Sequence, residues 1–276
     1  MDLKELFFIS LGTAVIVYFG GKLLLFSRML FPKICFPVSK SFFTSMGEWA
    51  VVTGASEGIG RAYAFAMAEQ GLNVVLMSRT KVKLDQVAKE IINNVGMLPS
   101  MIPCKFLETA ELDQTILKVI NCNVKTVAKM CKIVLPRMEN RRKGVIVNVS
   151  SGTASLPFPM YTLYAATKVF VERFSQGLQA EYKSKGIIIQ AVAPFGVSTR
   201  MTAYQETNMV TLTPEDFVKS SLQYIRAGDK THGSICHIVM GWLLQIIPLK
   251  ILYAEPLLYS LQDYVKKKVA QRECSF

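Results

Sequence analysis

The chain has 276 residues, 51% hydrophobic and 19% charged, with 17 Gly, 11 Pro and a net charge of +12. That excludes a disordered chain and a collagen-like or coiled-coil rod, and it fits one catalytic-size domain with a short appendage. The mean hydropathy of +0.30 assigns part of the apolar excess to a membrane, and the positive charge suits nucleic acid, anionic lipid or a phosphate-bearing ligand.

The first element is an apolar run. Leu6 to Gly21 carries no charge, and Leu23–Phe26 follows Lys22. At about 1.5 Å per residue the segment spans roughly 30 Å, enough to cross a bilayer with Lys22 snorkelling. A cleaved signal peptide is the competing reading, but Asp2, Lys4 and Glu5 make no basic start and no small-residue cleavage pattern follows. Lys22, Arg28, Lys33 and Lys40 cluster after the run, which predicts an uncleaved anchor with the main body in the cytosol.

Trp49–Thr53 predicts a buried strand, and the turn with Gly54, Gly58 and Gly60 leads into a helix over Arg61–Gln70. Strand, glycine turn and helix together suit a pyrophosphate site, because glycines let backbone approach and the helix N-terminus offers unpaired N–H groups, with an ordinary turn as the alternative. A second strand, Asn73–Met77, ends at Ser78-Arg79-Thr80. Arg79 there suits the 2′-phosphate of NADP(H), with a solvated loop arginine as the alternative.

Tyr164 and Lys168 lie four apart, on one helix face. Tyr-x-x-x-Lys also occurs at Tyr18–Lys22 and Tyr264–Lys268, so the spacing alone carries little. Context separates the three. Thirteen residues before Tyr164 stands Ser151, closing a predicted strand Val145–Val149, whereas Glu5 and Ile251 precede the other tyrosines. A serine at a strand end and a tyrosine on the next helix can grip one oxygen from two sides, and Lys168 is expected to lower the phenol pKa. Another strand, Ile187–Val192, leads to Pro194-Phe195-Gly196-Val197-Ser198-Thr199. The sequon at Asn148-Val149-Ser150 reads as a chance match in a buried strand.

The glycine turn, Asn93-Asn94-Val95-Gly96 and the Ser151/Tyr164/Lys168 set, in this order, resemble the short-chain dehydrogenase/reductase family. The resemblance implies an α/β fold with a Rossmann-like, doubly wound parallel sheet. It implies catalysis by Ser151, Tyr164, Lys168 and Asn123, with Tyr164 as proton donor and Asn123 anchoring the lysine through water. For NADPH/NADP it implies Gly54, Ser56, Gly58, Ile59, Gly60, Ser78, Arg79, Asn93, Gly96, Tyr164, Lys168, Val197 and Thr199. No metal is implied. The stretches SMGEWAVVTGA, NNVGMLP and VSTRMTAYQETNMVT are similar to the membrane-bound 17-ketosteroid reductases of the family, with its very-long-chain 3-ketoacyl-CoA reductases as the alternative. The partners implied are a small apolar ketosteroid and the endoplasmic reticulum membrane, with a possible homodimer and no nucleic acid. Leu156, Pro157, Phe158 and Met160, with Met201, Tyr204, Met209 and Leu212, would form an apolar lid or ordinary core.

One stretch departs from the family. Only 13 residues separate Arg79 from Asn93, where a helix, a third strand and a fourth strand need roughly 45 with loops. Lys81–Glu90 reads as one helix, with Ile91-Ile92 as the remnant of the strand before Asn93. The sheet should lack its third strand and most of its fourth, an in-frame loss of one βα unit that predicts weak NADPH binding and a membrane-tethered, catalytically impaired isoform as a further alternative.

The organisation expected is an anchor and linker over 1–44, the dehydrogenase/reductase domain over 45–234, and an apolar C-terminal segment with a basic tail over 235–276. Pro248, Lys250 and Pro256 interrupt the last segment, so it reads as interfacial or as core, and Lys266-Lys267-Lys268 as facing lipid or solvent. Cys35, Cys104, Cys122, Cys131, Cys236 and Cys274 are scattered, which predicts reduced thiols.

Overall fold

The computed structural model describes residues 2–39, 41–78 and 97–273. Helix α1 (Leu3–Leu30) is followed by short α2 (Pro32–Cys35) and α3 (Phe42–Met46), then β1 (Trp49–Thr53), α4 (Gly58–Glu69) and β2 (Asn73–Met77). The second part runs α5 (Leu112–Ile120), α6 (Thr126–Asn140), β3 (Gly144–Val149), α7 (Thr162–Tyr182), β4 (Ile187–Val192), α8 (Pro214–Ser221) and β5 (Lys230–Thr231). It closes with α9 (Ile235–Ile246), α10 (Leu249–Leu252) and α11 (Glu255–Glu273). The expected strands are in place, but the expectation that Trp49–Thr53 is buried is corrected, since Trp49 and Val51 are 62% and 48% exposed; α4 starts three residues earlier than expected, inside the glycine turn. The expected helix Lys81–Glu90 and the Ile91-Ile92 remnant lie outside the described residues.

All pairing is parallel. β1 pairs β2 with Trp49 opposite Asn73, and β3 pairs β4 with Gly144 opposite Ile187, with β5 beyond β4. Such strands need helices on both faces, which is why they read as continuous β-branched runs rather than alternating ones. Two clusters cover both faces of β3-β4-β5, whereas on β1-β2 one face is packed and Trp49, Val51, Val75 and Met77 on the other are exposed among the described residues. Ala62, Tyr63, Phe217 and Val218 from α4 and α8 pack with Val192. Cys131 and Leu135 from α6, with Phe174 and Leu178 from α7, pack on Ile146, Ile187 and Ile189. Asn148 donates to Ser175 Oγ at 3.0 Å, so the sequon asparagine is tied to α7.

The described strands fall into two separate sheets, β1-β2 and β3-β4-β5. Between them lies a cavity of about 610 Å³, lined by Trp49, Val51 and Thr53 of β1 and by Val145, Val147 and Val149 of β3. Gly54 N donates to Met77 O and Asn73 N to Glu48 O. The alternation of a parallel strand therefore points the backbone groups of Trp49, Val51 and Thr53 into the cavity. On the other side Ser150 N donates to Val192 O, which turns those of Val145, Val147 and Val149 the same way. The cavity stands where a central strand would bond both edges, as the 13-residue interval implies.

Helix α1 is 28 residues long with no buried residue. It is long and apolar enough to cross a membrane. Among the described residues the body meets its last turns, where Tyr224 Oη donates to Met29 O at 2.8 Å.

Candidate active site

Ser151 lies two residues beyond β3 and caps the short 3₁₀ turn Gly152–Ser155, its hydroxyl accepting from Thr153 N at 3.3 Å and Thr153 Oγ1 at 3.0 Å. Tyr164 lies in the first turn of α7 and Lys168 one turn further, both buried. Ser150 Oγ donates to Lys168 O at 2.8 Å, fastening the strand end to the helix. This fastening brings the two hydroxyls near each other, close enough for the Ser151 hydroxyl to act on the pKa of the Tyr164 phenol. The phenol also donates to Met201 Sδ at 3.9 Å, so an apolar side chain from the segment after β4 borders the pair.

Burial pushes the Tyr164 phenol up to about 12, and the nearby Ser151 hydroxyl opposes this. The phenol is thus held protonated at neutral pH. The expectation that Lys168 lowers this pKa is corrected. Its ammonium sits 5.5 Å from the Tyr164 ring centroid and donates to Val149 O at 3.0 Å, at the rim of the cavity. A hydrogen bond to a backbone carbonyl satisfies the ammonium without a counter-charge, so burial dominates and lowers its pKa to about 8.

The sign of that shift is testable. A lysine whose folded pKa lies below its unfolded 10.5 binds fewer protons folded than unfolded between the two values, so stability rises with pH there. The charged form costs on the order of 3 kcal/mol at neutral pH. Unfolding midpoints should climb from about pH 8 to about pH 10 in the wild type, and Lys168→Met should flatten that rise.

Asn123 lies in a π-helical turn, Asn121–Lys125, between α5 and α6. Such a turn widens the helix and re-aims a side chain. Here Asn123 Oδ1 accepts from Met97 N and Nδ2 donates to Met97 O, each at 3.0 Å, while Nδ2 also donates to Thr167 Oγ1 at 3.1 Å. It clamps the chain at Met97 and ties it to α7, one residue from Lys168.

The glycine turn is built for close approach. Gly54 and Gly58 have φ of 72° and 65°, which only glycine adopts freely. A Cβ on Gly58 would stand 3.1 Å from Thr199 Cγ2. No side chain caps the start of α4, so its first N–H groups face outward with the favourable end of the helix dipole. Gly60 is buried in that first turn beside partly buried Ile59. Ser78 Oγ donates to Ser56 Oγ at 3.2 Å, joining the end of β2 to the turn. Val197 is buried and bridges Leu212, and Arg200 pairs Glu57 at 3.6 Å. The loop after β4 therefore meets the glycine turn. Arg79, Asn93 and Gly96 lie outside the described residues.

Of the expected lid, Met201 reaches Tyr164, whereas Met209 is 89% exposed. Tyr253 Oη donates to Pro157 O at 2.8 Å, tying the segment before α11 to the loop before Tyr164. Lys268 pairs Glu206 at 3.0 Å, which directs one of the three tail lysines to the body.

Sequence reasoning missed the histidines. His237, fully buried in α9, accepts from Phe195 N at 3.4 Å through Nδ1, and its Nε2 lies 3.0 Å from Val210 O. These bonds assign the proton to Nε2, and burial holds the ring below its usual pKa. His232 Nδ1 lies 2.8 Å from Ala193 O, and burial lowers its pKa to about 4. Two neutral rings thus pin both ends of the loop between β4 and α8. The only local signal was Ser234, whose side chain accepts from His237 N and starts α9. Phe195, the residue interposed after Pro194, packs beside both rings and against Gly152, where a Cβ would collide with its ring. Gly152→Ala should destabilise the fold by about 1–3 kcal/mol, read as a lower urea midpoint at unchanged slope.

The family model "short chain dehydrogenase" matches residues 48–94 and 91–209, in two pieces that meet at the shortened interval. The 17-beta-hydroxysteroid dehydrogenase type 3 of Danio rerio is 50% identical over 304 positions, at least 28 more than this chain has residues, covering 97% of this chain and 99% of that relative. The very-long-chain 3-oxoacyl-CoA reductase of Anas platyrhynchos is 41% identical, covering 74% of this chain and 77% of its own. The short-chain dehydrogenase from Sphingobium yanoikuyae, solved in complex with NADPH, superimposes with a TM-score of 0.60 at 26% identity, covering 66% of this chain and 86% of that one. With its parallel strands, its glycine turn and a serine beside a buried tyrosine, this chain belongs to the short-chain dehydrogenase family of oxidoreductases.

Proposed function

We propose that this chain reduces the 17-keto group of a steroid to a 17β-hydroxyl at the expense of NADPH. The observation that carries the reading is the buried Tyr164 phenol, bordered by Met201, with the half-buried Ser151 hydroxyl near enough to act on its pKa. The residues present fit the cofactor: the Gly54 and Gly58 cradle and the uncapped start of α4 suit a pyrophosphate. Ser56, Ile59, Gly60, Ser78, Val197 and Thr199 would complete the cleft, Lys168 would hold the ribose beside the nicotinamide, and Arg79 would take the 2′-phosphate. When bound, NADPH supplies the hydride for the ketone carbon.

The chain does the rest. Ser151 donates to the ketone oxygen and fixes its position. Tyr164, kept protonated by burial, gives its proton to that oxygen as negative charge develops. Met201 and the apolar residues around it exclude water from the pair. Asn123 positions α7 through Thr167 and so sets the placement of Lys168.

The setting proposed is the endoplasmic reticulum membrane, with α1 (in 1–44) as anchor, 45–234 as the catalytic body facing the cytosol, and 235–276 as a segment at the membrane. The test is conversion of androstenedione with NADPH in microsomes expressing the chain, beside Tyr164→Phe. Product formed by the wild type and lost in the variant is expected; equal turnover in both removes the catalytic reading and leaves a tethered, non-catalytic relative. The similarity to the Anas platyrhynchos reductase supports a second substrate, a very-long-chain 3-ketoacyl-CoA. Assaying it alongside separates the two, since a steroid-specific site leaves it untouched.

A further inference from the structure

We propose that α9 and α10 seat their outward face in the surface of the same phospholipid bilayer that α1 crosses. The argument begins with α9, which is apolar on both sides. His237, Ile238 and Gly241 face the body and are buried. Ile235, Trp242, Leu243 and Ile246 face outward and are 44–59% exposed, and Ile247, Leu249 and Ile251 extend the same patch. A helix whose outer face is also apolar is unfavourable in water and calls for an apolar neighbour.

The structure places that patch at one depth along α1. From Leu3 to Leu25 every residue of α1 is exposed, a length of about 35 Å, slightly more than the roughly 30 Å hydrocarbon core. The bilayer surface therefore falls near Leu25 and Phe26, where the body begins. There Phe26 stacks on Trp242 of α9, with ring centroids 5.1 Å apart and planes at 28°. Tryptophan is the side chain suited to this depth, with an apolar ring and a polar N–H. Arg28 and Lys33, at and after the last turn of α1, and Lys250, between Leu249 and Ile251, lie exposed, where ammonium and guanidinium groups meet anionic headgroups. The contact is thus continuous with the α1 span, and charge and depth agree on lipid as the occupant. Through Tyr253 and Pro157 the same segment is bonded to the loop before Tyr164, so this seating sets the candidate active site at the lipid surface. The lipid contact rests on the reading of α1 as an anchor and needs no turnover.

The experiment uses the full chain reconstituted into phosphatidylcholine–phosphatidylserine vesicles, with acyl chains brominated near the headgroup. Trp49 and Trp242 are the two indoles. In Trp49→Phe the remaining emission should lose most of its intensity to brominated lipid; in Trp242→Phe it should be insensitive. If Trp49→Phe does not fold, the comparison of wild type with Trp242→Phe carries the same reading, because the quenchable part must vanish with Trp242. Insensitivity of Trp242, or equal quenching with and without it, overturns the proposal. Insensitivity accompanied by chemical cross-linking of two chains through α9 would assign the patch to a second copy. Quenching without ketone reduction would uphold the lipid contact and remove only the substrate reading.

Discussion

NADPH titrated into the purified chain should bind weakly, and restoring the missing stretch should tighten it by about a hundredfold, roughly 2.7 kcal/mol. The restored variant would carry, between Ser78 and Met97, the corresponding longer segment of the Danio rerio relative, whose alignment exceeds this chain by at least 28 positions. The physical basis is the cavity between β1 and β3. In a doubly wound sheet the dinucleotide lies across the carboxyl ends of the central strands. Here two of those strands face each other across about 610 Å³ with backbone groups directed into it, and among the described residues no strand bonds those edges. Lys168 is affected directly, since its ammonium bonds Val149 O on the cavity rim. Cofactor fluorescence enhancement provides the measurement. A micromolar Kd for the unaltered chain, unchanged by the insertion, would show that the divided sheet does not weaken the cleft. The proposed activity is accordingly expected to be slow in this chain and to need high NADPH.

Tyr164→Phe should lower ketone reduction by about 10²–10⁴-fold at saturating NADPH while leaving NADPH affinity within a few-fold of wild type. The phenol is a buried proton donor beside Ser151, and phenylalanine keeps its ring but not its proton. Ser151→Ala should cost less, about 10²-fold, because it removes positioning and one donor while the proton source remains. The Ser151 hydroxyl also accepts from Thr153 N and Oγ1, so that variant should in addition lose about 1 kcal/mol of stability. Single-turnover reduction with pre-bound NADPH separates the chemical step from binding. Loss of NADPH affinity equal to the loss of rate in Tyr164→Phe would assign the tyrosine to binding alone.

Strands of five or six β-branched residues, a turn requiring positive φ at Gly54 and Gly58, and a four-residue spacing on one helix face are local properties. Those were legible in the chain. So was the shortened interval after Arg79, because the length of chain needed to build a strand and a helix is nearly constant. Other features depend on residues far apart in sequence. Lys168 was expected to tune the phenol, yet its flexible chain reaches Val149 O, a choice set by what space packing leaves open. Burial, a property of the folded whole, pushes Tyr164 up to about 12 against that expectation. His237 gave no periodic signal, since its partners Phe195 and Val210 lie 42 and 27 residues away.

The order of chemical groups along the chain, their spacing within each element and the missing βα unit are thus written in the amino-acid sequence. Backbone conformation and element length are governed by neighbouring residues. Only the tertiary structure decides which side chain reaches which, where the sheet divides and how deep each ionisable group is buried. Those outcomes arise from the packing of distant segments, whose dielectric surroundings no single stretch contains.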